Sequence, residues 1–368
     1  MLFAHVRRWA CLALLASTTA AAQLTEIAAA GAGQQDDVLS FITPAAKRHF
    51  ATARRAAGQD FPGPLQLCNQ ARPSAMKWPL PSPADLRGTG PTETDLLRMK
   101  KSRAQYVADG GVFRAAPAPA RLFDNFYYVG IENVSAWAVD TSAGIIIIDA
   151  LNNRRDRIDR IEPRMRRIGL DPARFRQVLL THGHGDHFGG AAYLKSRYGA
   201  QVWMSAADWE LAPHMLDKPY FDAPPPRDHI FKDGQRLTLG EETISIHFTP
   251  GHTQGTVSMF IPVMDKGRTH VALLWGGTGF NFPHTPARFE QYARSAEAFR
   301  LLARTHKADI ALSPHPDFDD VVGKIHALEA RRPGDAHPFI RGEAAVQHYL
   351  TIPAECARAY AAQLKPKL

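Results

Sequence analysis

The stretch that decides the fold reads Thr-His-Gly-His-Gly-Asp-His-Phe-Gly-Gly and covers residues 181–190. Four side chains that can bind a metal fall within six of these residues. The apolar residues 178–180 lead into the stretch, as a strand would. His182 and His184 are two residues apart, so in an extended segment they point to the same side, as two ligands of one ion must.

Asp186 and His187 extend this cluster toward a second ion. They follow the turn that Gly183 and Gly185 allow, so they can face a position close to the first pair but distinct from it. Imidazole and carboxylate groups at this density are the ligands that zinc selects. The sequence therefore predicts a zinc site with room for two ions per chain.

Composition sets the size of the fold and the class of partner. The 368 residues could make one large domain or two small ones, and a hydrophobic content of 45% is enough for a sizeable core. The formal net charge is +8, but basic and acidic residues alternate along the chain, so no stripe for nucleic acid forms. We expect a small-molecule substrate, no nucleic-acid or membrane partner, and a monomer.

Residues 1–22 have the pattern of a secretory signal peptide. Arg7 and Arg8 form its charged end, residues 9–16 its apolar stretch, and three alanines at 20–22 a small-residue cleavage site. The apolar run is far too short to span a bilayer. We expect a periplasmic or secreted protein, the alternative being a short N-terminal helix of a cytosolic one.

Export would decide which cysteines remain in the protein and whether they can pair. Removal of the signal would take Cys11 with it and leave Cys68 and Cys356. Two thiols in an oxidising compartment can pair, so we predict a disulfide that ties the N-terminal extension to the C-terminal helix. Neither cysteine lies in a Cys-x-x-Cys pair, and we expect no thiolate metal site.

The chain divides at about residue 120. Residues 23–120 are rich in Ala and Pro; a helix is possible at 45–57, whereas 72–91, with five prolines, should be extended and irregular. Gly110 and Gly111 and the Ala-Pro repeats after them mark the boundary. We expect an irregular extension over 23–120 and one domain over 121–368.

Strands and helices alternate within that domain. Residues 126–130 and 134–139 have strand composition, and the four isoleucines at 145–148 suit a strand buried on both faces. Residues 156–168 suit a helix with a kink at Pro163. The further predicted elements are helices at 190–198, 206–211, 286–307 and 342–363, and strands at 201–204, 243–249, 256–262, 270–275 and 309–312.

The pattern His-x-His-x-Asp-His after an apolar strand resembles the signature of the metallo-β-lactamase fold superfamily. The likeness extends over roughly residues 122–316, and residues 125–137 resemble the opening strands of its subclass B3. The resemblance implies an α/β fold, namely a four-layer αβ/βα sandwich with a one- or two-zinc hydrolytic site on its edge. It makes residues 121–368 a metallo-β-lactamase-like hydrolase domain.

Two further residues match motifs of the superfamily. Asp149, directly after the isoleucine strand, matches the first motif, in which an aspartate braces the site from outside the ligand set; the alternative is a helix cap. His252, in Pro-Gly-His-Thr-Gln-Gly after a strand, matches the third metal motif. By this resemblance it is the third ligand of the zinc bound by His182 and His184.

The sixth ligand is either His284 or His315. His315 follows the strand-like residues 309–312, as the other ligands follow strands, whereas His284 lies in an irregular loop with prolines on both sides. We therefore favour His315. Its His-Pro sequence also matches the last motif of the superfamily.

This ligand set indicates a catalytic metal site. Three imidazoles on one zinc leave its fourth tetrahedral position for water. Asp186, His187 and His315 would hold a second zinc that shares the water, and hydroxide formed there would be the nucleophile. Asp186 could orient the water and later pass on its proton, which makes it the catalytic residue.

The absence of one aspartate separates branches of the superfamily. Glyoxalase II and lactonase types bridge the two zincs with an aspartate after the strand that corresponds to 271–275, but here residues 275–279 read Trp-Gly-Gly-Thr-Gly. The resemblance therefore favours subclass B3 and opening of the β-lactam ring of antibiotics. Typical B3 enzymes use serines at this place for the substrate carboxylate; Thr278, or a basic residue of the loop at 212–227, could replace them here.

Two other hypotheses remain open. One is a zinc hydrolase of another ester, lactone or amide with little lactamase activity. The other, from a different class, is a non-catalytic metal-binding protein. An intact ligand set with an open position for water argues against it, because metal storage does not need that position.

Overall fold

The structure is a computed structural model that describes residues 43–69, 117–215 and 221–365. The expected signal at 1–22, the proline-rich stretch at 72–91 and the boundary glycines Gly110 and Gly111 lie outside the described residues. Among the described helices, none is both long and apolar enough to serve as a membrane span.

Two β-sheets form the centre of the described part. In the first, strands β1 to β4 pair antiparallel in sequence order and strands β4 to β7 pair parallel. These strands are β1 Ala120–Arg121, β2 Phe126–Tyr128, β3 Trp137–Thr141, β4 Gly144–Ile148, β5 Phe175–Leu179, β6 Gln201–Met204 and β7 His229–Ile230.

The second sheet has the spatial order β12-β11-β10-β9-β8. Its pairs are antiparallel except for β11 and β12, which run parallel. These strands are β8 Arg236–Leu239, β9 Glu242–Phe248, β10 Val257–Asp265, β11 Arg268–Leu274 and β12 Ile310–Leu312.

Helices cover both outer faces of the sheets. In chain order they are α1 Pro44–Ala57, α2 Pro62–Leu65, α3 Glu162–Arg167, α4 Gly185–Phe188, α5 Ala191–Tyr198, α6 Ala206–Leu211, α7 Pro286–Thr305, α8 Pro316–Asp319, α9 Val321–Glu329 and α10 Glu343–Leu364. The kink expected at Pro163 takes another form. Residues 154–167 form one continuous helix in which Asp156–Ile161 are π-helical, so a wider turn directly precedes Pro163 at the start of α3.

Strand β4 shows how the layers form. Ile146 and Ile148 pack between the two sheets, with Ile246 of β9 and Ile261 of β10 in the same cluster. The alternate isoleucines of β4 face the helices outside the first sheet. Because successive side chains of a strand point to opposite faces, a strand buried on both faces needs an uninterrupted apolar run.

The outer face of the second sheet completes the sandwich. Phe260 of β10 and Leu273 of β11 pack there with Phe299 of α7 and Tyr349 of α10. The layers are therefore helices, sheet, sheet and helices, and this confirms the predicted four-layer αβ/βα sandwich. Each face of each sheet is buried, so the free ends of the strands are where a site can form.

The described part of the N-terminal extension joins this outer layer. The helix expected at 45–57 is confirmed as α1, which Thr43 caps by accepting a hydrogen bond from the backbone N–H of Ala46. Helix α1 packs against α10. Cys68 and Cys356 form the predicted disulfide, with their Cα atoms 4.7 Å apart. The bond ties the extension to the C-terminal helix.

Candidate metal centre

Three histidine nitrogens converge where strands β5 and β9 end. His182 and His184 follow β5, and His252 follows β9. The Nε2 atom of His252 lies 3.1 Å from Nε2 of His182 and 3.1 Å from Nδ1 of His184. The three side chains are 1%, 6% and 2% exposed, in the order 182, 184, 252, so bulk water cannot satisfy their nitrogens. We call these residues the first group.

The geometry of the first group fits three ligands of one zinc ion. Nitrogens bound tetrahedrally at about 2.0–2.1 Å from zinc lie about 3.3–3.4 Å from each other. Nδ1 of His252 donates to the carbonyl oxygen of Gly279 at 2.8 Å, so its Nε2 carries no proton. Burial and the neighbouring imidazoles lower the pKa of His182 and of His252 well below the ordinary value. Both rings are therefore neutral, as metal ligands must be.

Asp186, His187 and His315 form a second group. One ligand atom from each lies within 4.8 Å of the others. Oδ2 of Asp186 is 3.5 Å from Nε2 of His187 and 3.9 Å from Nε2 of His315. Nε2 of His187 is buried and makes no hydrogen bond within the described residues. A buried nitrogen without a partner is costly, and a cation at this position would satisfy it.

The second group carries charge. Burial opposes ionisation of Asp186, but His187 and His315 outweigh it and lower the pKa of the carboxyl below its ordinary range. Burial likewise opposes a charged His187, but Asp186 and Asp149 outweigh it and raise its pKa. Burial, followed by the nearby His187, lowers the pKa of His315. A carboxylate between two imidazoles suits a divalent cation.

Asp149 connects the two groups. It is fully buried after β4, and its φ of 60° is uncommon outside glycine. Its carboxylate accepts hydrogen bonds from the backbone N–H and the hydroxyl of Thr181 and from Nδ1 of His187, the last at 2.8 Å. Oγ1 of Thr181 in turn accepts from Nδ1 of His182 at 3.0 Å. Asp149 thus fixes the tautomer of one histidine in each group, and its placement meets the requirement of the predicted bracing role.

A second bracing carboxylate, Asp208 of helix α6, carries no signal in the sequence. Its oxygens accept from the backbone N–H of Gly183 at 3.0 Å, from Oγ1 of Thr253 at 2.7 Å and from the N–H of Gly255 at 3.2 Å. It joins the loop of His182 and His184 to the loop of His252. Burial raises its pKa to about 6, with these three donors acting in the opposite direction. No metal motif lies around Asp208 in the sequence, so only the folded contacts reveal it.

Asp319 braces the loop that carries His315. It accepts from the backbone N–H of Ser313 at 2.9 Å and from that of Val321 at 3.2 Å. The imidazole of His315 is fixed separately, because its Nδ1 donates to the carbonyl oxygen of Asn133 at 2.7 Å. Burial raises the pKa of Asp319 to about 7, although Lys324 acts in the opposite direction.

The other candidate residues lie apart from both groups. Nε2 of His284 donates to the carbonyl oxygen of Phe280 at 3.0 Å, and His284 belongs to neither group. Thr278 is only 3% exposed, and its hydroxyl has no hydrogen-bond partner within the described residues. Its role toward a substrate stays a prediction.

The backbone after β11 leaves no room for a carboxylate. A Cβ atom at Gly276 would lie 1.7 Å from the carbonyl oxygen of Val257, and one at Gly277 would lie 2.6 Å from Cβ of His252. Real Cβ atoms do not approach other atoms so closely. The aspartate is missing here, and the two glycines in its place pack closely against Val257 and against His252 of the first group.

Comparison with known proteins places the chain in a family. The family model described as the metallo-beta-lactamase superfamily matches residues 129–265. A hydroxyacylglutathione hydrolase of Fuscovulum blasticum is 31% identical over 190 residues, which cover 51% of this chain and 68% of that protein. The chain belongs to the metallo-β-lactamase superfamily. A hydroxyacylglutathione hydrolase of Cereibacter sphaeroides is 27% identical, and the match covers 55% of this chain and 78% of that protein.

Solved structures of the superfamily resemble the fold over more of the chain. A subclass B3 metallo-β-lactamase of Bradyrhizobium japonicum is 27% identical with a TM-score of 0.53, and the match covers 65% of this chain and 92% of that one. A β-lactamase of Chitinophaga pinensis is 26% identical with a TM-score of 0.55, and the match covers 69% of this chain and 96% of that one. These matches confirm the likeness to subclass B3. The protein is a hydrolase of the metallo-β-lactamase superfamily, whose fold generally binds zinc, with two candidate groups for the metal.

Proposed function

We propose that the protein is a zinc-dependent hydrolase that opens the β-lactam ring, as enzymes of subclass B3 do. The observation that carries the proposal is the pair of metal-ligand groups without a carboxylate after β11. Three imidazoles and a separate Asp-His-His group supply six ligand atoms, and Gly276 and Gly277 exclude a bridging aspartate.

The residues in and around the two groups have different roles in the proposed hydrolysis. Two zinc ions bound by them would supply a hydroxide near neutral pH and polarise the carbonyl under attack. Asp186 lies between the imidazoles of His187 and His315, and its lowered pKa keeps it ionised. It can accept a hydrogen bond from the nucleophile and orient it. Asp149 holds His187 in the tautomer that leaves Nε2 free for the metal.

A cavity beside the first group has the size for a substrate. Its volume is about 320 Å3, and His184 and His252 form part of its wall. Leu211 and Phe282 add apolar surface. Cavities that bind small molecules commonly begin at about 300 Å3 and combine apolar walls with a few polar groups. We propose that the acyl part of the substrate binds here.

A second candidate function is hydrolysis of another ester, thioester or lactone. The observation that favours it is that relatives 27–31% identical to the chain are hydroxyacylglutathione hydrolases. The protein lacks room for an aspartate after β11, and this distinguishes its centre from the bridged one of glyoxalase II types. We therefore rank β-lactam opening first.

Turnover assays distinguish the candidates. The zinc-loaded protein is assayed with a penicillin, a cephalosporin, a carbapenem, an acyl-homoserine lactone and a hydroxyacylglutathione, with and without a chelator. Turnover of a β-lactam that a chelator abolishes supports the proposal. Turnover of the lactone or the thioester alone selects the second candidate. Zinc binding without turnover of any compound would favour the non-catalytic metal-binding hypothesis.

We also propose that the protein is exported. The leader-like residues 1–22 and the Cys68–Cys356 disulfide both support this, because such bonds persist in oxidising compartments. Mass spectrometry of the mature protein from a bacterial host should show an N-terminus at Gln23. A mature protein that retains residues 1–22 in the cytoplasm would contradict the proposal.

A further inference from the structure

One side chain in the cavity beside the first group has no part in the mechanism above. Arg288, in the first turns of α7, lines the same cavity as His184 and His252. Its Cζ atom lies 5.2 Å from the ring centroid of Phe282, which also lines the cavity. A guanidinium at this distance is attracted by the face of the ring, and the contact holds the group in position.

Within residues 43–69, 117–215 and 221–365, no carboxylate pairs with the charge of Arg288. Its Nη1 donates to the side-chain oxygen of Gln291 and its Nη2 to the carbonyl oxygen of Gly251, both at 3.0 Å. Both acceptors are neutral. Burial alone lowers its pKa, with no contribution from a nearby carboxylate. Two of its five N–H groups make these bonds, so the guanidinium keeps donors to offer.

The acidic residues of the cavity are already engaged. The carboxylate of Asp208 accepts from the two ligand loops, as described above. Glu210 pairs with Arg227 at 2.8 Å, and its side chain is 75% exposed. Among the described lining residues, Arg288 is the permanently cationic group, and the two carboxylates of the cavity wall, Asp208 and Glu210, are bonded to other partners.

We propose that Arg288 forms the subsite for the carboxylate of the substrate. The inference rests on the proposed function and makes it more specific: the substrate is an anionic acyl compound, whose carbonyl lies at the metal groups and whose carboxylate pairs with Arg288. A guanidinium suits this role because its planar fork matches the two oxygens of a carboxylate. Thr278 and the loop at 212–227, which the sequence offered for this role, are then not needed.

A paired substrate assay tests this inference. Benzylpenicillin carries a free carboxylate, and its methyl ester is the same molecule without the charge. We expect Arg288→Ala to lower the preference for the acid over the ester on the order of tenfold, through KM, with kcat for the ester changed by less than about twofold. Arg288→Lys should restore part of the preference, since it keeps the charge but loses the fork.

A structural role for Arg288 would give a different result. Because Nη2 bonds to Gly251 next to His252, Arg288→Ala could instead disturb the first group. In that case kcat/KM for acid and ester would fall together, zinc content would drop and Arg288→Lys would restore no preference for the acid. That result overturns the inference, as does an unchanged preference. Arg294→Gln, an exposed position on the same helix, is the matched control and should leave both substrates unaffected.

Failure of the proposed function is distinguishable from failure of this inference. If the wild-type protein turns over neither compound, β-lactam opening is wrong, and the equilibrium dissociation constants of the two compounds then report on Arg288 alone. Tighter binding of the acid that Arg288→Ala abolishes still supports the subsite. Equal binding of acid and ester, or binding of neither, overturns it.

Discussion

The two metal-ligand groups differ in charge, burial and spacing. The first consists of three buried imidazoles, of which His182 and His252 are neutral, with two nitrogen pairs only 3.1 Å apart. The second contains a carboxylate, its spacings are 3.5 and 3.9 Å, and the side chains of Asp186 and His315 are 24% and 23% exposed. The first group is therefore already arranged for one ion, whereas the second must contract around its ion.

Bracing explains part of this difference. Asp208 joins the two loops of the first group directly, with three hydrogen bonds from within one helix. The second group draws its ligands from the ends of β5 and β12, and its braces are separate: Asp149 holds His187, and Asn133 holds His315. A group held by one rigid support loses less freedom on binding a metal. We therefore expect the first group to bind zinc more tightly than the second.

The largest expected effect is the loss of a ligand from the first group. His252→Ala removes one of three buried nitrogens, and we expect activity to fall by a factor on the order of 10³ or more. His315→Ala removes a partly exposed ligand from the second group, and we expect a smaller loss, about 10 to 10²-fold. Steady-state assays with the best substrate measure both.

A histidine outside the groups provides the control. His284→Ala should keep nearly full activity, because its imidazole bonds only to the carbonyl of Phe280 in its own loop. An equal loss in His252→Ala and His315→Ala would remove the proposed difference between the groups. Full activity of His252→Ala would remove the first group from the mechanism.

The next effect concerns the brace of the first group. Asp208→Ala leaves the N–H groups of Gly183 and Gly255 without their acceptor, and we expect a loss of about 3 kcal/mol in the free energy of unfolding. Zinc affinity of the first group should fall about 10 to 100-fold. Chemical denaturation and zinc competition measure these quantities. Glu210→Ala, an exposed change on the same helix, should alter stability by less than about 0.5 kcal/mol.

The sequence anticipated the fold and the ligands for identifiable reasons. His182 to His187 stand out because four ligands fall within six residues, and the four isoleucines of β4 predict a strand buried on both faces. His252 and His315 lie far along the chain, but each follows a strand, and strand ends meet at the edge of a sheet. The sandwich itself was predicted from the resemblance of these motifs to the metallo-β-lactamase superfamily.

The bracing and substrate residues could not be predicted in the same way. Asp208 contacts residues 25 to 47 positions away in the sequence, and nothing adjacent to it distinguishes it from a surface aspartate. Arg288 is one of many arginines in a basic chain. Its importance follows from the lack of a counter-ion among the described residues around it, and only the folded structure gives that information.

The smallest expected effect is a pH dependence from the brace of the second group. Burial raises the pKa of Asp319 to about 7, above its ordinary value of 3.8. Between these two values the folded state keeps a proton that the unfolded state has released, so the stabilisation is present at low pH and is lost as pH rises to about 7. Relative to Asp319→Asn, wild-type stability should therefore decrease by about 3 kcal/mol from pH 4 to pH 7.

Denaturation curves of both proteins across this range measure the difference. Above pH 7 the two curves should run parallel, because Asp319 is then ionised in both states of the wild type. A wild-type stability that rises relative to Asp319→Asn over this range would show that the carboxyl is stabilised in its ionised form, and that the brace of the second group is charged throughout.

The central claim is that two unequal zinc sites lie side by side, and a zinc titration of the metal-free protein tests it most directly. With a competing chromophoric chelator, the wild type should bind two equivalents, one tighter than the other. His252→Ala should lose the tighter equivalent, and Asp186→Ala should lose the weaker one. A wild type that binds a single equivalent, or a His252→Ala variant that still binds the tighter equivalent, would contradict the account.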